Sequence, residues 1–232
     1  MTQPREVGVG PWEGPWPEDP RLDPDLLREG DRRNVEDRYR YWRHEAIVAE
    51  LDTRRHEVHV AIENWEHDLN IGSVVRTANA FNVAAFHVVG RRRWNRRGAM
   101  VTDRYQHVRH HEDVAALAAW AEDAGVPIVA VDNVPGSVPV DRADLPERCV
   151  LLFGQEGPGL SDEAIAAVRK AKDAGMWGVK FYTSMNPAWI APAAATTGVP
   201  ASSIESRRGM SSVNRLFISI RARAAPRQKC TP

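Results

Sequence analysis

Val150-Leu151-Leu152-Phe153-Gly154-Gln155-Glu156-Gly157-Pro158-Gly159-Leu160-Ser161-Asp162 is an apolar run that breaks into three closely spaced glycines and restarts on a helix-opening pair. Four consecutive apolar residues suit a strand buried on both faces. Ser161 or Asp162 suits the cap of the helix that follows. Glycines at 154, 157 and 159 allow backbone conformations closed to other residues and let a ligand approach the main chain. Strand, glycine turn and helix together are one step of an α/β fold.

Working outward, the same alternation recurs. Strand-like runs cover Val58 to Ile62, Ala85 to Val89 and Pro127 to Val131, and helical stretches cover Ile71 to Phe81, Val114 to Ala124 and Asp162 to Ala171. Such alternation predicts a parallel sheet with helices on both faces and ligands at the carboxyl ends of the strands. No GxGxxG follows the first strand, so the dinucleotide-binding version has no support.

The chain has 232 residues, 43% of them hydrophobic, enough for one α/β core plus extensions. Its formal net charge is zero, so any nucleic-acid signal must be local. Cys149 and Cys230 lie far apart without CxxC spacing, which argues against a disulfide framework or a zinc site and fits a reducing cytoplasm. No basic-then-apolar leader follows Met1 and no apolar run is long enough for a bilayer, so a protein without membrane association is expected.

Residues 1–30 contain six prolines and seven acids against three arginines and read as an irregular arm, in which Trp12 and Trp16 either anchor the arm or stack on a base. Val35, Tyr39, Trp42 and Ala46 make one apolar stripe and predict a helix from Asp31 to Leu51, within a segment 31–56 leading into a catalytic domain over 57–200. Seven of the last 26 residues are basic, and 201–232 reads as a basic, disordered tail.

Three further constellations carry chemistry. Asn70-Ile71-Gly72-Ser73-Val74-Val75-Arg76-Thr77-Ala78-Asn79-Ala80-Phe81 follows the strand ending at Glu63-Asn64. Asn70 is placed to cap the helix, and Val74, Val75, Ala78 and Phe81 form its buried stripe. Arg76 stands apart from that stripe, either as an arginine paired with a surface acid or as a functional group. Arg91-Arg92-Arg93-Trp94-Asn95-Arg96-Arg97 sets five arginines around an aromatic, a pattern suited to phosphate contacts and base stacking. His107, His110 and His111 lack a completing acid or cysteine, so an RNA-facing surface is expected there rather than a metal site.

The stretches at 70–81 and 153–160 closely resemble the first and second signatures of SpoU (TrmH-like) RNA 2'-O-ribose methyltransferases of the SPOUT superfamily, a resemblance that covers residues 57 to 173. It implies that Arg76 assists deprotonation of the ribose hydroxyl, that Asn70 organises the site, and that Glu156 sits beside Arg76. It implies S-adenosyl-L-methionine as cofactor, held near Gly154, Gln155 and Leu160, with Asn133 bordering the adenine. Fold, substrate and assembly follow likewise: a trefoil-knotted domain, tRNA or rRNA, and an obligate homodimer. The third signature falls on Ser184-Met185-Asn186 by spacing, with Ser212-Val213-Asn214 as the later alternative. Pro192 departs from the alanine-rich helix that normally follows. A rival reading is therefore a non-catalytic RNA-binding or assembly protein on the same fold, and a second is a base-methylating SPOUT enzyme.

Overall fold

The computed structural model describes residues 8–66, 70–134, 137–139, 145–155, 157–173 and 181–182. The chain divides into two units, residues 1–55 and 56–232.

In the first unit a proline and an aspartate start α1 (Pro24–Glu29), where the Asp23 carboxylate accepts the Asp25 N–H at 2.9 Å. The single helix that the stripe predicts from Asp31 to Leu51 is not formed. A 3-10 turn at Asp37–Tyr39 and α2 (His44–Asp52) take its place, separated by Tyr41 with a left-handed φ of 62°. The cause is Asp31, which is fully buried. Its carboxylate accepts from the Arg33 guanidinium at 2.9 and 2.7 Å and from the Tyr41 N–H at 3.0 Å. A helix would hold residues 31 and 41 about 15 Å apart, so these bonds exclude it. The arm carries regular structure too: Val9 pairs antiparallel with Asp31, and the Trp12 N–H donates to the Leu27 carbonyl at 2.8 Å.

The second unit alternates as expected: β1 (His59–Asn64), α3 (Ile71–Ala80), β2 (Phe86–Gly90), β3 (Val108–His111), α4 (Val114–Asp123), β4 (Ile128–Val131), β5 (Val138–Pro139), β6 (Val150–Phe153), α5 (Asp162–Asp173) and β7 (Phe181–Tyr182). The strands form one sheet in the order β3-β2-β1-β6-β4-β7-β5, and every pairing is parallel. Strand alternation sorts the core into two layers. Val60, Ile62, Val88, Leu151 and Phe153 pack against Val74, Val75 and Ala78 of α3. Ala61, Val89, Val150 and Leu152 pack against Val114, Leu117 and Ala121 of α4 and Ala164 and Val168 of α5. The helices therefore cover both faces, and β1 lies inside the sheet between β2 and β6.

Across the α4 face of β1, β2 and β3 runs a chain of imidazoles. His59 Nδ1 lies 3.1 Å from His87 Nε2, and His87 Nδ1 lies 2.9 Å from His111 Nε2. Trp120 of α4 covers them, its ring 4.4 Å from that of His87. His111 is thus buried, which corrects the expectation of an RNA-facing histidine surface; only His107 is exposed, and His110 Nε2 bonds the Gly90 carbonyl at 2.7 Å.

Burial, together with Arg109 and Arg148, lowers the His59 pKa to about 4, and burial with the neighbouring imidazoles lowers that of His87 to about 2. Because these values lie below the unfolded one, near 6.5, the contribution to stability is complete above pH 6.5 and is lost as the pH falls from there toward 4. Unfolding free energy should drop across that window, by at most about 1.4 kcal/mol per pH unit from His87 and by less from the half-buried His59. Denaturant melts between pH 7.5 and 5 measure this, and His87→Gln should flatten the dependence; an unchanged slope in the variant would contradict it.

Candidate active site

β1 and β6 are parallel neighbours, with Ile62 opposite Phe153, so the turns that follow them leave the same sheet edge side by side. The turn after β6 closes on itself. Gln155 N–H donates to the Gly159 carbonyl at 2.9 Å and Gly159 N–H returns the bond at 3.1 Å. Gly154 is dictated by that closure, since a Cβ there would lie 2.0 Å from the Gly159 carbonyl carbon.

Three polar side chains lock this turn to its neighbours. The Gln155 amide oxygen accepts the backbone N–H groups of Trp65 and Glu66 at 3.2 and 2.6 Å. Glu63, 1% exposed at the end of β1, accepts the Ser161 N–H at 2.7 Å, the Ser161 hydroxyl at 2.6 Å and the Trp65 indole at 2.9 Å. Ser161 in turn accepts the Ala164 N–H at 3.1 Å, so a buried carboxylate sits at the positive end of α5. From β4, Asp132 accepts the Leu160 N–H at 2.8 Å.

On the other side of β1 stands α3. Asn70 begins it, but its side chain makes no capping bond to the helix, contrary to expectation; its carbonyl accepts the Val74 N–H at 3.0 Å and the Ser73 hydroxyl at 2.8 Å. Arg76 points away from the packed stripe and is exposed. Among the described residues it makes no hydrogen bond or ion pair, so it is not an arginine neutralised there by a surface acid.

The arginine loop is fastened at both ends. Asn64, 1% exposed, donates from its amide to the carbonyls of Arg91 and Arg93 at 2.6 and 3.0 Å, and its own carbonyl accepts the Arg91 N–H at 2.9 Å. Farther on, a 3-10 turn at Arg96–Ala99 lies backbone to backbone on α3, where a Cβ at Gly72 would meet the Gly98 Cα at 2.6 Å. Arg91, Arg92, Arg93, Arg96 and Arg97 are exposed. Trp94 is not. It is 9% exposed and belongs to the α3-side core, which corrects its reading as a stacking face.

Asn133 is exposed at the end of β4 and gives its N–H to Asp132, whereas Leu160 is buried beneath the glycine turn. Glu156, Ser184, Met185 and Asn186 lie outside the described residues. Sequence reasoning placed Ser161 as a cap of α5, which its bond from the Ala164 N–H bears out, but missed Glu63, Asn64 and Asp132 as the framework of the site. Its one available signal was the polar pair Glu63-Asn64 closing an apolar strand. Among the described residues no group of three or more histidines, cysteines or acids is arranged to hold a metal ion, and no helix is long and apolar enough to cross a membrane.

Residues 57–191 match the model of the SpoU rRNA Methylase family. The matched span includes Ser184-Met185-Asn186, leaves out Ser212-Val213-Asn214 and stops short of Pro192. The chain is 26% identical over 127 residues to the tRNA (guanosine(18)-2'-O)-methyltransferases of Escherichia coli (strain K12) and Shigella flexneri. That alignment covers 53% of this chain and 56% of the relative, so the chain spans just over half the length of these relatives. In fold it is similar to the A. aeolicus TrmH/SpoU tRNA modifying enzyme, with a TM-score of 0.53 at 17% identity over 78% of this chain and 82% of that one. It is also similar to the SpoU methyltransferase AviRb from Streptomyces viridochromogenes in complex with AdoMet, with a TM-score of 0.50 at 19% identity over 76% of this chain and 62% of that one.

The close approaches set an order of sensitivity. Alanine at position 154 or 72 would meet backbone at 2.0 or 2.6 Å, and at 98 only at 3.2 Å. Within α3 alanine would gain about 1 kcal/mol of helix propensity over glycine, but overpacking against backbone costs about 1–3 kcal/mol. Thermal melts should rank the loss Gly154→Ala above Gly72→Ala above Gly98→Ala; a Gly98→Ala variant as damaged as Gly154→Ala would refute the packing described.

Proposed function

The chain belongs to the SpoU rRNA Methylase family, and on that footing we propose that it transfers a methyl group from S-adenosyl-L-methionine to a ribose 2'-hydroxyl of tRNA or rRNA. One observation above all supports this: the clasp of Gln155 and Glu63, which brings the turn after β6 against the segment leading into α3. Two stretches distant in sequence, each carrying a family signature, thereby share one sheet edge.

The residues present fit a nucleoside-bearing donor. Among the described residues nothing lies within 4 Å of where a Gly157 side chain would begin, and Asn133 is exposed at the strand end that Asp132 ties to the same turn. When bound, S-adenosyl-L-methionine supplies an electrophilic methyl carbon on a sulfonium, whose sulfur leaves as a neutral thioether. The ribose oxygen would form the new bond to that carbon and pass its proton to a water molecule or an RNA phosphate acting as base. The Arg76 guanidinium stabilises the oxyanion as it forms. Glu156 orients the guanidinium, Asn70 organises the backbone beside it, and Ser184, Met185 and Asn186 complete the donor pocket. Arg91, Arg92, Arg93, Arg96 and Arg97 bind RNA phosphates. The homodimer, the trefoil knot and a cytoplasmic location, where such RNA is found, belong to the same proposal.

Arg76→Ala should abolish incorporation of radiolabelled methyl groups into unmodified bulk tRNA and rRNA while calorimetric binding of S-adenosyl-L-methionine stays within about threefold of wild type, since the loss is confined to the transition state. Retained turnover would end the assignment. RNA binding by wild type without any methyl incorporation would favour the non-catalytic reading instead. For the arginine loop, Arg91→Ala with Arg92→Ala should reduce the slope of log K against log salt by about 0.7 to 0.9 per lost phosphate contact. An unchanged slope would remove the loop from the RNA surface.

A further inference from the structure

Between two 3-10 turns, Arg96–Ala99 and Thr102–Tyr105, the chain makes a sharp knuckle at Met100 and Val101. Both residues are left-handed, with φ of 51° and 69°, and both are bare, 63% and 55% exposed. A β-branched residue in this region is a genuine outlier, and strain of this kind persists only where its surroundings over-determine it. They do so here. Met100 N–H donates to the Arg97 carbonyl at 3.2 Å, the Thr102 hydroxyl to the Ala99 carbonyl at 2.6 Å, and Arg104 N–H to the Val101 carbonyl at 3.3 Å. The first turn in addition rests on Gly72 of α3. The backbone thus spends strain to hold two apolar side chains outward, where nothing in this unit's described core covers them.

Charge identifies what does. From Arg91 to Arg104 the segment has six arginines and one acid, Asp103, itself 3.5 Å from Arg96. A symmetric contact between two copies of this knuckle would press like charges together, whereas a polyanion meets the arginines and leaves the apolar pair facing its bases. Resting on the RNA-methylating reading above, we infer that Met100 and Val101 form an apolar wedge that seats against an unstacked base of bound RNA while the flanking arginines hold its phosphates. Proteins that insert apolar side chains at base steps combine these same two elements. The wedge lies on the loop that packs against α3, the helix bearing Arg76, so it sets which part of the RNA strand is held near that guanidinium.

Fluorescence anisotropy of the full chain with a labelled RNA hairpin, and with a blunt duplex of the same stem, tests this. Met100→Ala and Val101→Gly should each weaken hairpin binding about tenfold and leave duplex affinity and salt slope unchanged. Val101→Gly should melt at or above the wild-type temperature, since glycine takes the left-handed backbone without strain. Wild-type hairpin affinity in both variants would overturn the wedge, as would equal losses on hairpin and duplex. Dissociation of an assembled species in either variant by sedimentation would assign the knuckle to a contact between copies and overturn it too. Failure of the wild-type chain to bind either RNA is a separate result, because it removes the parent reading first.

Discussion

A carboxylate taken out of water needs donors enough to replace its hydration, or the fold loses several kcal/mol. Glu63 meets that demand without a cation in its described hydrogen bonds. Two bonds come from Ser161, one from the Trp65 indole, and the amino end of α5 supplies favourable potential. The arrangement fixes the distance between the end of β1 and the start of α5, and with it the height at which the glycine turn stands above the sheet. Gln155 then settles the lateral position by accepting two N–H groups of the β1 exit. The remaining features of the sheet edge take their places from these contacts.

The loops at this end of the sheet are accordingly held in place by the strands they leave. Asn64 holds the arginine loop by its carbonyls, so the hold on the loop does not use its guanidinium groups. The Gly72 and Gly98 backbones touch because neither carries a side chain, and that contact seats the next turn on α3. Arg76 stands on α3 outside this framework, exposed and off the packed stripe, and is in no ion pair among the described residues.

Much of this was legible beforehand. β4 and β6 are continuous apolar runs and β1 and β2 are mostly apolar around His59 and His87, so all four read as buried parallel strands, and α3, α4 and α5 carry apolar stripes. β3 escaped because Val108-Arg109-His110-His111 is mostly polar at a sheet margin, and β5 and β7 are two residues each. The helix expected over 31–51 failed because a spacing of apolar residues says nothing about Asp31 reaching across to Tyr41. Trp94 misled for the opposite reason: its arginine neighbours are outside, and a local composition does not reveal that the ring turns inward. The signatures around Arg76 and Gly154 were readable because they combine residue types that packing alone does not select. Glu63 and Asp132 were not, since an acid closing a strand looks like a solvated end until its partners are known.

The position of β1 also governs how the chain must be made. Its partner on one flank, β2, follows soon after it, but on the other flank His59 waits for Val150. During synthesis an apolar strand therefore emerges with one row of amides and carbonyls unmatched until most of the second unit has left the ribosome. Parallel pairing over such sequence separations is slow and leaves edges open to other chains. Yield of the native protein thus hinges on keeping a half-paired inner strand apart from its copies while translation catches up.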